Sequence, residues 1–330
     1  MLDAGWGDSP NGIRVIEDDL ASSGDPFVHE ALLYRDMGEY LEATLAFINE
    51  GLRAGEPVLV AVPNSNLRRL TGELGTAAAR VRLIDLSEEG RNPGRIIPWV
   101  HLAFADAHPD EALRIIGEPI WPGRSADEYP GCMQHEALAN VVFSGRRARA
   151  LCPYDVSNLE PEVIADAATT HPVLTGRDGR QASATYADPN AVAAAFNRPM
   201  RDLGVPLTVL RFNAATVSDV RLVVAQYAAY TGMPPQRATD LHQAVNEVAI
   251  NAVTHGGGAG TLAIYRSQDR LICQIQDAGR LTDPLTGRIP SKSDPGRGLL
   301  LVNRLCDLVQ IHTGDGGTTT RLHMTIAPAR

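Results

Sequence analysis

Leu241 to His255 reads LHQAVNEVAINAVTH. Leu241, Val245, Val248 and Ala252 recur at helical spacing and form an apolar stripe, which predicts one amphipathic helix. Glu247, Asn251 and His255 recur every fourth residue and climb a neighbouring face. A carboxylate can take a proton from an attacking oxygen, and an amide oxygen can ligate hard Mg²⁺. An imidazole can donate to phosphate. Such a row also suits a solvated helix face, so its meaning depends on what surrounds it.

The surroundings are ordered. Gly256-Gly257-Gly258 is a helix stop. Thr261–Tyr265 and Leu271–Gln276 alternate in character and predict two strands joined by a Ser267-Gln268-Asp269 turn. The second strand runs into Asp277-Ala278-Gly279. A polar stretch, Arg280–Pro295, carries three prolines. Gly296-Arg297-Gly298-Leu299-Leu300 then opens a helix to Leu308. Val309–Thr313 reads as a strand, Gly314–Gly317 as a turn and Thr318–Ile326 as a last strand. Upstream, Leu207–Phe212 predicts a strand and Ala215–Thr231 a helix, before Met233-Pro234-Pro235.

The order N-x-E-(x)₃-N, D-x-G, G-x-G-L-x-L and G-G-T, over about Pro206–Thr325, resembles the GHKL ATPase superfamily of gyrase, chaperone, histidine-kinase and mismatch-repair ATPases. Its compact size is similar to the anti-sigma factor serine/threonine kinases. The resemblance implies an α+β two-layer sandwich that binds ATP and Mg²⁺. It assigns Mg²⁺ ligation to Asn251 and polarisation of the attacking hydroxyl or water to Glu247. It assigns adenine recognition to Asp277, with Thr318 nearby through water, and close backbone passage to Gly279. Gly296, Arg297, Gly298 and Leu299 open a helix whose amides can face phosphate, and His255 completes the set. Arg280–Pro295 would be the ATP lid. One departure stands out. The family pattern is D-x-G-x-G, but Leu281 replaces the second glycine, which removes a residue tolerant of positive φ from the lid hinge.

The first half has a different texture. Residues 1–26 are rich in Gly, Asp and Ser and predict a loose leader. Tyr40–Leu52 predicts a helix ended at Gly55. Val58–Val62, VLVAV, reads as a buried parallel strand, Leu67–Leu74 as a helix and Val81–Leu86 as a strand. Alternating helix and strand imply an α/β sheet with helices on its faces. The helix, Gly51-x-x-x-Gly55, strand and loop order resembles a RecA-like domain. Its loop, Pro63-Asn64-Ser65-Asn66, lacks the Gly and Lys of a phosphate-binding loop, so ATP is not expected there.

Gly117-Glu118-Pro119-Ile120-Trp121, His135-Glu136-Ala137-Leu138-Ala139-Asn140, Leu151-Cys152-Pro153-Tyr154-Asp155 and His171-Pro172 follow in order. This set, over about Phe27–Leu174, resembles the MEDS domain of methanogen and methylotroph regulators. The resemblance implies a degenerate RecA-like fold, a parallel sheet flanked by helices, that senses a small ligand. Glu118, Trp121, Glu136, Cys152 and Asp155 are candidates to line its pocket at strand ends. Taken singly, Trp121 and Cys152 read rather as core and the three carboxylates as caps or solvated surface. His29, His101, His108, His135 and His171 share no metal-like spacing, so no metal site is expected. The expected domains are therefore 27–174 and 204–330, with residues 175–203 as a linker and a short helix over Ala191–Met200.

Composition sets the remaining bounds. The formal charge of −9 and the lack of any Lys/Arg-rich run argue against direct nucleic-acid binding. Four scattered cysteines without a C-x-x-C pair suit reduced thiols in a cytoplasmic protein. No signal peptide or membrane-spanning run is read. No helical pair with a phosphoacceptor histidine precedes the ATPase-like region, and no transducer domain follows it. The expectation is a regulatory kinase with a fused sensor. Its implied partners are a sigma factor and a STAS-type anti-sigma-factor antagonist, and the resemblance implies a homodimer. The weaker alternative is an ATP-binding regulator that acts by docking alone.

Overall fold

The computed structural model describes residues 26–267, 269–290 and 294–326. Residues 1–25 of the expected leader, Gln268 of the expected turn and residues 291–293 of the expected lid lie outside the described residues.

The first domain is built on seven strands: β1 (Phe27–Tyr34), β2 (Val58–Val62), β3 (Val81–Asp85), β4 (Leu113–Gly117), β5 (Ala148–Asp155), β6 (Val173–Gly176) and β7 (Gly179–Ala182). They lie in the order β3-β2-β4-β5-β1-β6-β7, parallel except for the terminal β6–β7 pair. All five residues of β2 are buried, as a strand covered on both faces must be. Helices α1 (Met37–Ala54), α2 (Asn64–Leu74), α3 (Leu102–Asp106), α4 (Tyr129–Phe143), α5 (Pro161–Thr170) and α6 (Pro189–Ala195) flank the sheet. Helix α1 shows why its ends lie where they do. Asp36 caps it by accepting from Glu39 N at 3.0 Å, and Gly55 ends it at φ 74°.

The expected linker is partly sheet. Gly176 pairs with Gly179 across Arg177-Asp178, and Gly179 takes φ 97°, so the polar run folds as a tight hairpin rather than a tether. Buried Glu30 of β1 fastens it, accepting from Arg180 Nε and Nη2 at 2.9 Å each and from Arg149 Nη2 at 3.0 Å. Burial opposes the Glu30 charge, but these guanidinium bonds outweigh it and hold its carboxyl below the usual range.

The second domain has two layers. Strands β8 (Thr208–Asn213), β9 (Ala259–Ser267), β10 (Arg270–Asp277), β11 (Leu308–Gly314) and β12 (Gly317–Thr325) form an antiparallel sheet in the order β11-β12-β10-β9-β8. Helices α7 (Val217–Tyr230), α8 (Pro235–Thr254) and α9 (Asp294–Leu305) share a core with it. Leu241, Val245, Val248 and Ala252, the apolar stripe of α8, are all buried in that core. Helix α8 starts earlier than expected because Pro235, preceded by Pro234, is a good first-turn residue. It ends at Thr254, one residue before His255. Helix α9 stops at Leu305, three residues short of expectation, and Leu308 opens β11 instead. Among the described residues no helix is long and apolar enough to cross a membrane.

Candidate nucleotide site and sensor cluster

Glu247 and Asn251 stand one turn apart on α8, both half-buried. Gly298 of α9 comes against them. A methyl group at Gly298 would sit 3.0 Å from Glu247 Oε2 and 3.5 Å from Asn251 Nδ2. The chain thus brings three residues from two of its motifs into one place, and the glycine leaves a cradle that any side chain would fill. Gly296 lies in the same helix, with its surroundings outside the described residues. Arg297 is exposed.

Asp277 ends β10, opposite Thr318 of β12 and Gly260 of β9. Its Oδ1 accepts from Gly279 N at 2.8 Å. Glycines crowd it on three sides. A methyl at Gly256 would lie 2.5 Å from Oδ1, one at Gly279 2.9 Å from the same atom, and one at Gly317 1.9 Å from the Asp277 carbonyl oxygen. Burial raises the Asp277 carboxyl above its usual range, and the Gly279 amide only partly opposes this.

Several expected site residues make contacts within the domain itself. Leu299 is buried in the core under α8, so its side chain does not reach outward toward a nucleotide. Thr318 donates to Gly279 O at 2.8 Å and lies 3.1 Å from Thr313 Oγ1, so its hydroxyl holds the D-x-G turn. His255 is exposed beyond the end of α8, and its carbonyl lies beside Gly279. Leu281 packs against the second core, while its N–H donates to Thr313 Oγ1 at 3.2 Å. The lid therefore starts from an anchored residue where a glycine would leave it free.

The five residues expected to line one sensor pocket separate into four settings. Glu118, just past β4, is buried and accepts from Asn66 Nδ2 at 2.9 Å and Tyr40 Oη at 3.2 Å. Burial pushes its pKa up to about 8, against those hydrogen bonds. Asp155 lies at the end of β5 and accepts from Ser157 N and Asn158 Nδ2, as a turn residue does. Trp121 stacks under the Arg124 guanidinium, 3.9 Å from ring centroid to Cζ, and lines a cleft of about 920 Å³ shared with Leu281 and Arg288.

Glu136 and Cys152 do come together, and they bring two histidines with them. His29 of β1 places Nε2 3.3 Å from Cys152 Sγ and 3.2 Å from Glu136 Oε2. His171, just beyond α5, places Nε2 3.4 Å from the same carboxylate oxygen. Burial and the neighbouring His171 lower the His29 pKa, and burial raises that of the Cys152 thiol. A spacing of 123 positions hides the His29–Cys152 pairing from sequence; β1 and β5 lying side by side, Ala31 opposite Cys152, creates it. The sequence signal for His29 is only a histidine beside Glu30 inside the mostly apolar strand FVHEALLY.

Residues 28–172 match the family model of the MEDS domain, described as the methanogen/methylotroph, DcmR sensory domain. Residues 210–324 match that of the histidine kinase-like ATPase domain. The chain joins a MEDS domain to a histidine kinase-like ATPase domain. No curated protein matches it. Among solved structures, it is similar to the RsbU and RsbW domains of Rv1364c from Mycobacterium tuberculosis, at 23% identity and a TM-score of 0.29, covering 38% of this chain and 34% of that one. It therefore spans about a third of the length of that relative. The SiaB-SiaC complex from Pseudomonas aeruginosa follows at 15% identity and a TM-score of 0.30, covering 36% of this chain and 89% of that one. The histidine kinase AdeS of Acinetobacter baumannii follows at 13% identity and a TM-score of 0.23, covering 38% of this chain and 70% of that one.

Of the contacts by which the MEDS domain holds the ATPase domain, two bear on α9 and the expected lid. Asn92 Nδ2 donates to Asn303 O and Oδ1 at 3.0 Å each, and Arg95 donates to Asn303 O at 2.9 Å and Cys306 O at 2.7 Å. Arg95 thereby caps the C-terminal end of α9, where a cation suits the exposed carbonyls. Asn303 passes the contact on, donating to Gly287 O at 2.9 Å. The second point is the expected lid. Leu285 and Ile289 pack against the MEDS core, and Arg288 Nη2 donates to Gln134 Oε1 of α4 at 2.9 Å.

Proposed function

We propose that the ATPase domain binds ATP with Mg²⁺ and transfers its γ-phosphate to a serine or threonine of a partner protein. The observation that carries this reading is the meeting of Gly298 with Glu247 and Asn251. Asn251 would hold Mg²⁺, which neutralises phosphate charge when bound. Glu247 would take the proton of the attacking hydroxyl. Asp277 would accept from the adenine amino group, and Arg297 and the Gly296–Gly298 amides would face the phosphates. In the motif order it resembles, the acceptor is a STAS-type anti-sigma-factor antagonist, and a sigma factor is sequestered once that antagonist is phosphorylated. The open edge at β8, with Val209 57% exposed, and the exposed Leu222 and Tyr230 of α7 support a protein partner.

The MEDS domain would regulate this step through the lid. Gly298 lies close against Glu247, so a nucleotide phosphate seated between them would displace the start of α9 and, with it, the lid residues that lead there. Leu285, Arg288 and Ile289 are among those lid residues and are seated on the MEDS domain. A small ligand that changes the seat changes the lid, provided it binds the two arrangements unequally. The test is phosphate transfer from ATP to the purified antagonist. Glu247→Ala should abolish transfer, and undiminished transfer would remove Glu247 from its role.

Anchored Leu281 favours a second reading, in which nucleotide is retained and partners are controlled by docking alone. Nucleotide binding without transfer to any antagonist would select it.

A further inference from the structure

We propose that His29, Glu136, Cys152 and His171 form a divalent-metal site of the zinc class, buried in the MEDS domain. Their ligand atoms all lie within 4.8 Å of one another. The four closest approaches run from 3.2 to 3.6 Å. Zinc bonds of about 2.0–2.3 Å in a tetrahedron give ligand–ligand edges of roughly 3.3–3.7 Å. The side chains already stand at the corners such an ion needs.

Hydrogen bonding fixes which nitrogens point inward. Asn140 donates through Nδ2 to the carbonyls of Glu136, Ala137 and Thr170, so its Oδ1, 3.2 Å from His29 Nδ1, is an acceptor. A neutral His29 therefore carries its proton on Nδ1 and turns a bare Nε2 to the centre. His171 Nδ1 lies 2.8 Å from Ala167 O, which can only accept, so in the neutral ring its Nε2 is bare as well. That Nε2 has no hydrogen-bond partner, and neither has Glu136 Oε1. Two imidazole lone pairs thus face a carboxylate in a place closed to water, with exposures of 1% for His29, 0% for Glu136, 3% for Cys152 and 0% for His171. Such an arrangement repels itself unless a cation sits between the groups. Outer hydrogen bonds from Asn140 and Ala167 are the support that metal-bound histidines require.

The donor set selects the metal. One sulfur, two imidazoles and one carboxylate suit a borderline-soft ion and disfavour Mg²⁺ or Ca²⁺. Binding forms one bond to each donor, and the Cys152 thiol releases its proton to solvent as it becomes a thiolate. Thiolate and carboxylate then balance the two positive charges of the ion. Glu136 sits two residues from Gln134 on α4, so the metal would stiffen the helix that holds the lid.

The test uses the full chain, stripped with a chelator, dialysed and titrated with Co²⁺ and, separately, Zn²⁺. One equivalent of either should bind. The cobalt form should show the visible bands of tetrahedral Co²⁺ with a thiolate charge-transfer band. Cys152→Ser should lose the charge-transfer band, and His171→Gln should weaken binding about 100-fold. Cys273→Ser, in the other domain, should change neither. Uptake below about a tenth of an equivalent by wild type overturns the site, and so does a charge-transfer band that persists in Cys152→Ser. If Cys152→Ser does not fold, His171→Gln decides by affinity, and unchanged affinity overturns the site equally.

Discussion

Gln134 Oε1 accepts a hydrogen bond of 2.9 Å from Arg288 Nη2, which ties the MEDS helix α4 to the segment proposed as the lid of the ATPase domain. The partners are 154 residues apart in the chain. Arg288 Nη1 is buried without a partner, and burial lowers its pKa to about 10. The bond is thus one strong link in a seat that is otherwise apolar.

Arg288→Ala should free the lid. The expected outcome is nucleotide association faster by about fivefold or more, followed by stopped flow with a fluorescent ATP analogue. Gln134→Ala should act in the same direction, and the double variant should add little to either alone. Additive effects would mean that the two residues act separately.

Gly298→Ala places a methyl group 3.0 Å from Glu247 Oε2, a contact the flexible carboxylate can relieve only by moving. The fold should survive with a stability change under about 1 kcal/mol. Phosphate transfer should fall at least tenfold, because Glu247 loses its aim. Gly298→Val should fall further. Equal activity in wild type and Gly298→Ala would show that Glu247 need not stay in place.

Asp277→Asn keeps the volume but turns an acceptor carboxylate into an amide. The Gly279 N–H can still bond to the amide oxygen. Adenine discrimination should suffer, with ATP binding weakened by about 10- to 100-fold. Calorimetry with ATP and GTP would measure this, and unchanged preference between them would take Asp277 out of base recognition.

Glu118 supplies a pH dependence. Its folded pKa of about 8 stands above the ordinary 4.5, so the folded state favours the protonated acid. That contribution is fully present below about pH 4.5 and is lost as pH rises through 8. Glu118→Gln mimics the protonated group. It should be more stable than wild type at pH 8.5 by at least about 1 kcal/mol and show a flatter profile from pH 5.5 upward. Urea denaturation at both pH values checks this, and parallel profiles would contradict it.

The second domain was the more legible half. Its motifs lie on single helices and strand ends, where local spacing decides geometry. Glu247 and Asn251 share a face because a helix repeats every 3.6 residues, whatever surrounds it. For Leu299 the motif position says nothing about which face its side chain takes; core packing decides that, while its backbone amide stays at the start of α9. The first domain hides its chemistry in long-range pairing. Strand β1 carries His29 and Glu30 in FVHEALLY, and neither residue looks like strand interior until partners from β5, β7 and α4 arrive. Polar residues 175–182 looked like a tether because a two-residue hairpin and a linker use the same residues.

The packing of Leu285 and Ile289 bears on how such proteins can be recombined. A half cut out at the apparent joint would carry away bare apolar side chains and leave a matching hollow behind. Transplanting this detector onto a foreign catalytic module would therefore need the recipient's own loop to be rewritten for the new seat, so descent of the pair should preserve them together rather than shuffle them.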